Sequence, residues 1–414
     1  MDIAGKTELD IFSSAPPQVV VESYSFEEIY PKDSIHGYAQ SQIQFDIVGS
    51  EDDYIDLNET LLTVKIKAVA SDGKDLTTDI ASMTPSNYLL YTLFKDITLY
   101  LNHTKVEDTN DTYYQKAIIE NALNFSKDTK NIFMKSIGFG SDTDRNKWLQ
   151  KSAEMTLCGP VNLDFFEQPR YLIPGVNLSI KFQRNESTSI FQYAKSGTET
   201  EIKPLIFIKE AKLLIRRVRA QQSVRIGHNM GMNNQNAIYP IQRAKILQFS
   251  IPKGSRSEYK DNVFSDERLP KFVLITFQKT SKISGEYASL CSSFDNCNIQ
   301  SISLSRGIDY KDTYNVNMAN DFTEAYVKSL ILNMGLLNKN MNNGISMDEF
   351  KSEYPFITFV LAPDFDVDQA KLPKTGNLKI DVRFREALTD PVTMYVYGVF
   401  DGEVQIAKDG SIII

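Results

Sequence analysis

Apolar residues recur at every second position in one segment of this chain after another, a period that suits strands and defeats helices. In "QIQFDIV" Ile43, Phe45 and Ile47 face one way while Gln42, Gln44 and Asp46 face the other; in "LTVKIKA" it is Leu62, Val64, Ile66 and Ala68 against Thr63, Lys65 and Lys67. The pattern returns at Val176, Leu178, Ile180, Phe182 and at Leu378, Ile380, Val382, Phe384. Successive side chains of a strand point to opposite faces, so these strands have one buried and one polar side, as in antiparallel sheets. Asp72-Gly73, Asp401-Gly402 and Asp409-Gly410 stand beside such runs, and Asp-Gly predicts type I′ hairpins. The last stretch, "TMYVYGVFDGEVQIAKDGSIII", should therefore hold at least one tight hairpin.

The chain also starts afresh halfway along. In "AIYPIQRAKILQFSIPKGS" prolines and a glycine bracket a strand-like run, which predicts a first strand over 245–251, after a last strand of the preceding unit over 213–218. At 414 residues the chain exceeds the roughly 250–300 at which single cores stop growing. The division expected is an N-terminal arm over 1–31, where the paired prolines of "SSAPPQ" cannot form a regular ladder, a first β unit over 32–220, a connector over 221–238 and a second β unit over 239–414. Helices are few. One is expected over 112–136, with Tyr114, Ile118, Ala122 and Phe125 on a face. Another lies in "NDFTEAYVKSLILNMG", where Phe322, Ala325, Tyr326, Ser329 and Leu330 share a face, Asp321 and Glu324 resemble a capping box, and Gly335 ends the helix. Eight or so short strands per half, without regular βαβ alternation, point to a sandwich or jelly roll.

Charge and chemistry narrow the function. The net charge of -8 has the wrong sign for a protein that grips phosphates over its whole surface, so nucleic acid is at most an indirect partner. The charge is uneven: residues 1–60 hold thirteen acids against Lys6 and Lys32, whereas 211–257 hold nine Lys and Arg and no acid. Cys158, Cys291 and Cys297 are too sparse for a disulfide scaffold, no secretion signal opens the chain, and no apolar run reaches membrane length; the protein reads as neither secreted nor transmembrane. His36, His103 and His228 are scattered, without metal-ligand spacing, and no nucleophile elbow or phosphate loop occurs; catalytic, cofactor and metal residues are all read as none. "GFGSDTD" follows a helix and reads as its end. The alternating Asp364, Asp366 and Asp368 lack the rest of a calcium loop, and Asp52, Asp53 and Asp56 read as an acidic surface rather than general acids.

Several segments together resemble the major capsid proteins of the Polinton/Maverick group, related to virophage capsids: "LDIFSSAPPQ", "GSEDDYIDLNETLLTVKIK", "YPIQRAKILQFSIPKGS", "RLPKFVLITF", "GNLKIDVRF" and "TMYVYGVFDGEVQIAKDGSII". The resemblance implies an all-β chain with a few inserted helices, built as two tandem eight-stranded antiparallel jelly-roll barrels. It further implies a homotrimer forming a pseudo-hexagonal capsomer that meets neighbouring capsomers and penton or minor capsid proteins in a virion assembled inside the host cell, with no catalysis. Tyr54, Ile55 and Leu57 would close a loop onto the first barrel, Pro240 and Arg243 would open the second, and Gly376 and Asn377 would start a strand. The stretches 187–202 and 336–351 match nothing in the group. Arg216, Arg217, Arg219 and Arg225 would meet Glu8, Asp10, Glu27 and Glu28 of a neighbouring arm, or packaged polyanion, or face water. The rival function is a carbohydrate-active or deglycosylating enzyme on paired jelly rolls, which needs convergent carboxylates at the seam.

Overall fold

The computed structural model describes residues 20–35, 37, 41–80, 83–193, 203–264, 268–285, 287, 290–307, 310–318, 321–337, 342–362 and 375–414. In the first half the main strands are β1 (Val21–Ile29), β2 (Gln42–Ile47), β3 (Asp53–Val69), β4 (Phe94–Leu101), β5 (Thr104–Asp108), β6 (Met155–Pro160), β7 (Leu178–Arg184) and β8 (Leu205–Ala220). They pair as two antiparallel sheets, β1-β8-β3-β6 and β2-β7-β4-β5. The second half supplies β9 (Ala237–Ile251), β10 (Ser257–Val263), β11 (Phe272–Lys279), β12 (Ile299–Arg306), β13 (Tyr310–Asn315), β14 (Ile357–Val360), β15 (Leu378–Phe384) and β16 (Val392–Ile406). These pair as β9-β16-β11-β14 and β10-β15-β12-β13, the same order strand for strand. Consecutive strands alternate between facing sheets except at the β4-β5 and β12-β13 hairpins, which is the jelly-roll path, and the chain follows it twice. Among the described residues no strand pairing joins the halves.

Alternation in the sequence becomes alternation in burial. Ile43, Phe45 and Ile47 are buried on β2, and Leu62, Val64, Ile66 and Ala68 on β3, with Thr63, Lys65 and Lys67 turned outward. Phe45 and Phe94 pack around Phe182 across that core, at ring-centroid distances of 5.7 and 5.0 Å.

Several expectations need correction. Part of the presumed arm is a barrel strand: Tyr24, Phe26 and Glu28 pair with Val218, Arg216 and Leu214, so β1 is a full member of the first sheet. The proline pair lies further upstream, outside the described residues. Next, the first strand of the second half begins at Ala237 and runs straight through Pro240. A proline is tolerated there because β9 is an edge strand. Tyr54, Ile55 and Leu57 likewise lie within β3 rather than on a loop. Finally, Asp401-Gly402 makes no turn, since β16 passes through it opposite Gln242 and Ile241. The other two Asp-Gly pairs do turn the chain, but as three-residue loops. Gly73 donates to the Ala70 carbonyl and Ala70 to that of Lys74; Gly410 donates to Ala407 and Ala407 to Ser411. Only the glycines have positive φ, 80° in both, which gives a type I turn closed by a left-handed glycine instead of type I′.

Each half carries its helical insertion at the same place, between the fifth and sixth strands. The first breaks where one helix was expected: Tyr113–Asn124 ends at an extended Phe125, and Ser126 caps a new helix, Lys127–Ile132. "GFGSDTD" does end a helical turn, with Gly138 at φ 83°. In the second, Thr323–Tyr326 continues into a π-helical turn, Val327–Leu332, and Phe322, not Asp321, is the N-cap. The capping box of this insertion is Ser346 with Glu349, inside a stretch that matched nothing. Residues 194–202, 338–341 and the Asp364, Asp366, Asp368 loop lie outside the described residues.

Gly49, between β2 and β3, meets the backbone of another loop: a Cβ there would stand 2.6 Å from the Val176 oxygen and 2.7 Å from the Gly175 carbonyl carbon. Backbone cannot swing aside as a side chain can. Gly49→Ala should therefore destabilise the first barrel by about 1–3 kcal/mol, read as a lower midpoint in urea unfolding.

Candidate assembly surfaces and the barrel seam

The acid-free segment 211–257 spans the end of β8, a connector helix (Gln222–Gly231) and all of β9. The cations of β8 and of the connector helix find carboxylates of their own chain. Arg216 Nη1 lies 3.2 Å from Asp56 and its guanidinium stacks 4.6 Å from the Tyr24 ring; Arg219 Nε lies 2.8 Å from Asp53, and Lys212 Nζ 2.7 Å from Glu28. Arg217 pairs with Glu27, and Arg225 with Asp52. Antiparallel register explains this: β8 lies between β1 and β3, so the basic run is flanked by Glu27 and Glu28 on one side and Asp53 and Asp56 on the other. Of the proposed pairings the structure brings Arg217 to Glu27, within one chain; Glu8 and Asp10 lie outside the described residues. Asp52, Asp53 and Asp56 are thus arginine partners. Burial pushes the Asp56 carboxyl above its usual range, against the pull of Arg216.

The histidines stay apart. His103 sits in the left-handed turn between β4 and β5, His228 places Nδ1 2.7 Å from the Tyr54 hydroxyl, and His36 is outside the described residues. Among the described residues no group of His, Cys, Asp and Glu could hold a metal ion, and the three cysteines are free thiols. No described helix is long and apolar enough to cross a membrane.

What the sequence did not reveal is the seam. Helix Tyr113–Asn124 is buried on nearly every side, because it packs on β4 of the first barrel and also reaches β16 of the second. Gln115 donates to the Tyr395 hydroxyl at 3.0 Å, and the Tyr397 hydroxyl donates to Glu120 at 2.9 Å. Lys116, 3% exposed, lies 3.2 Å from Glu120 and 2.9 Å from Asp164. Asp164 in turn accepts from the Ala244 amide of β9 at 2.9 Å, and Glu107 accepts from the amides of Asp164 and Phe165. One lysine therefore faces several carboxylates away from water. Burial raises the Glu120 carboxyl to about 8, more than the Lys116 charge can offset, while the same carboxylates hold Lys116 well above its ordinary value against burial. The sequence does contain a signal, the i,i+4 spacing of Lys116 and Glu120, but that spacing ordinarily marks a wet helix face.

No family model matches the sequence. An uncharacterised protein of Caenorhabditis elegans is 22% identical over 395 residues, covering 88% of this chain and 90% of that protein. Among solved structures, a chain of the Sputnik virophage, solved by cryo-EM, superposes with a TM-score of 0.67 at 12% identity, covering 98% of this chain and 91% of its own. A chain of the quasi-atomic PBCV-1 virus capsid gives 0.62 at 10%, covering 97% and 99%, and the mavirus major capsid protein 0.55 at 9%, covering 99% and 93%. The chain has the double jelly-roll fold that viral major capsid proteins share.

Two outcomes follow from this geometry. A carboxyl whose pKa is raised on folding keeps a proton that the unfolded chain releases. Stability should then fall as pH rises from the ordinary 4.5 towards about 8, by at most about 1.4 kcal/mol per pH unit for one proton, and level off above. Glu120→Gln should lessen that slope in thermal unfolding between pH 5 and 9, and the part that stays belongs to the Glu107 carboxyl, which burial also raises to about 8. In addition, replacing Arg216, Arg217 and Arg219 together by Gln leaves the buried Asp56 without its cation, and should lower the stability of the first barrel by about 1–3 kcal/mol in urea unfolding.

Proposed function

We propose that this chain is a structural major capsid protein of the Polinton/Maverick lineage, three copies of which form a pseudo-hexagonal capsomer of an icosahedral shell. The observation that carries the reading is the fit along the whole chain: both barrels, in one order, superpose on virus-particle chains over 97% to 99% of this chain's length. On this reading the domains are a first jelly roll from β1 to Ala220, a connector around helix Gln222–Gly231, and a second jelly roll from β9 onward. The partners are other copies of the chain, neighbouring capsomers, and penton or minor capsid proteins, and the protein resides in the virion shell.

The enzyme reading needs carboxylates open to substrate at the seam. Instead, Glu120 and Asp164 are buried and engaged by Lys116, Tyr397 and the Ala244 amide, which favours a seam that holds two barrels together.

The purified protein should scatter light as a trimer at micromolar concentration, bury more than roughly 2,000 Å² per interface, and give hexagonal capsomers or closed particles in negative stain. A monomer under these conditions would overturn the proposal.

A further inference from the structure

The buried cluster at the seam sets a nucleophile against an acyl group. Lys116 Nζ lies 2.9 Å from Asp164 Oδ1 and 3.2 Å from Glu120 Oε2, and Lys116, Asp164 and Glu120 are 3%, 7% and 7% exposed. The other oxygen of Asp164, Oδ2, accepts from the Ala244 amide at 2.9 Å. Each participant is held from outside. Lys116 and Glu120 stand one turn apart on helix Tyr113–Asn124, and both Glu120 oxygens are engaged, one by the Tyr397 hydroxyl and one by the Asn162 side chain. Asp164 opens a helical turn, Asp164–Glu167, whose first two amides donate to Glu107 and whose Phe165 packs on Tyr239 at a ring-centroid distance of 5.7 Å. An ion pair needs only the first of these contacts. An amine against a carboxyl, a backbone N–H on that carboxyl's second oxygen and a further carboxyl against the amine are the parts of an acyl-transfer centre.

We infer that Lys116 and Asp164 condense to an amide, an intramolecular isopeptide bond that ties the first barrel's insertion to the turn after β6. A proton first passes within the pair from Nζ to Oδ1, leaving an amine and a carboxylic acid. The surrounding carboxylates favour the ammonium, so the amine is the minor form; the transfer nevertheless leaves the pair's net charge unchanged, and burial disfavours separated charges. The Nζ lone pair then bonds to Cγ while the Cγ–Oδ2 π pair moves onto Oδ2, where the Ala244 N–H already donates. Glu120 takes a proton from Nζ and gives one to the Oδ1 hydroxyl, a relay that suits a carboxyl raised to about 8. The Cγ–Oδ1 bond breaks with its electron pair, water leaves, and the Oδ2 pair returns to the carbonyl. One amine and one carboxylic acid thus give one amide and one water, with no further reactant. Asp164, Glu107 and Ala244 also line the open groove between the barrels, which is the way out for that water. Because the Ala244 amide belongs to β9, the centre is complete only once the barrels have docked, and the bond locks the insertion in its docked position. The inference does not depend on the capsid reading.

The experiment digests the denatured parent protein with trypsin and reads the peptides by tandem mass spectrometry. A branched peptide joining the segments of Lys116 and Asp164, lighter than their sum by one water, is expected in place of the separate peptides. Lys116→Arg keeps the charge but offers no amine nucleophile, and should abolish the branched peptide. Glu120→Gln cannot relay the proton, and should reduce it at least tenfold. Recovery of both parent peptides unlinked, a branch at another pair of residues, or a bond formed undiminished in Glu120→Gln would overturn the inference.

Discussion

A sheet has two faces, and in a jelly roll only the inner one is covered by the partner sheet. Everything distinctive about this molecule depends on what happens to the outer one. On β11 and β16 both faces are apolar or fully buried, so a second barrel standing alone would expose Leu274, Tyr395 and Tyr397. The first barrel's insertion supplies the cover at Tyr395 and Tyr397, while the second barrel's own Ser329 and Ser293 engage Thr358 and Gln278. The two barrels are consequently not beads on a string, and their apolar contacts run without a break across the seam.

The cover is achieved with charge where apolar packing would have been simpler. Taking Lys116, Glu120 and Asp164 out of water has a large desolvation cost that their mutual attraction only partly offsets, so the cluster is a poor source of stability and a good source of specificity. It accepts one docking geometry, in which Tyr397 and the Ala244 amide each complete a carboxylate's hydrogen bonds. A slipped seam would strand a charge.

At the connector end a different balance holds. The basic run on β8 is compensated by acids from β1 and β3 and from the loop between β2 and β3, so the net charges of these segments, so unequal along the sequence, nearly cancel in space. Sequence distance between Arg217 and Glu27 concealed an adjacency that antiparallel pairing creates.

The sequence by itself determined the strands, because a period of two is enforced residue by residue through the pleat: Ile43, Phe45 and Ile47 could only have faced inward together. It also determined that the chain starts again after the connector. It left β1 illegible, since an edge strand with mostly exposed residues carries no alternation, and it misplaced Pro240 and Asp401-Gly402, whose local signals yield to strand pairing at a sheet edge and in a long continuous strand. Only the tertiary structure decided which outer face is covered, that Lys116 and Glu120 lie in a seam and not on a wet helix, and which acids neutralise the arginines. Those outcomes depend on contacts between residues tens to hundreds of positions apart, and no local pattern encodes which distant surface will arrive.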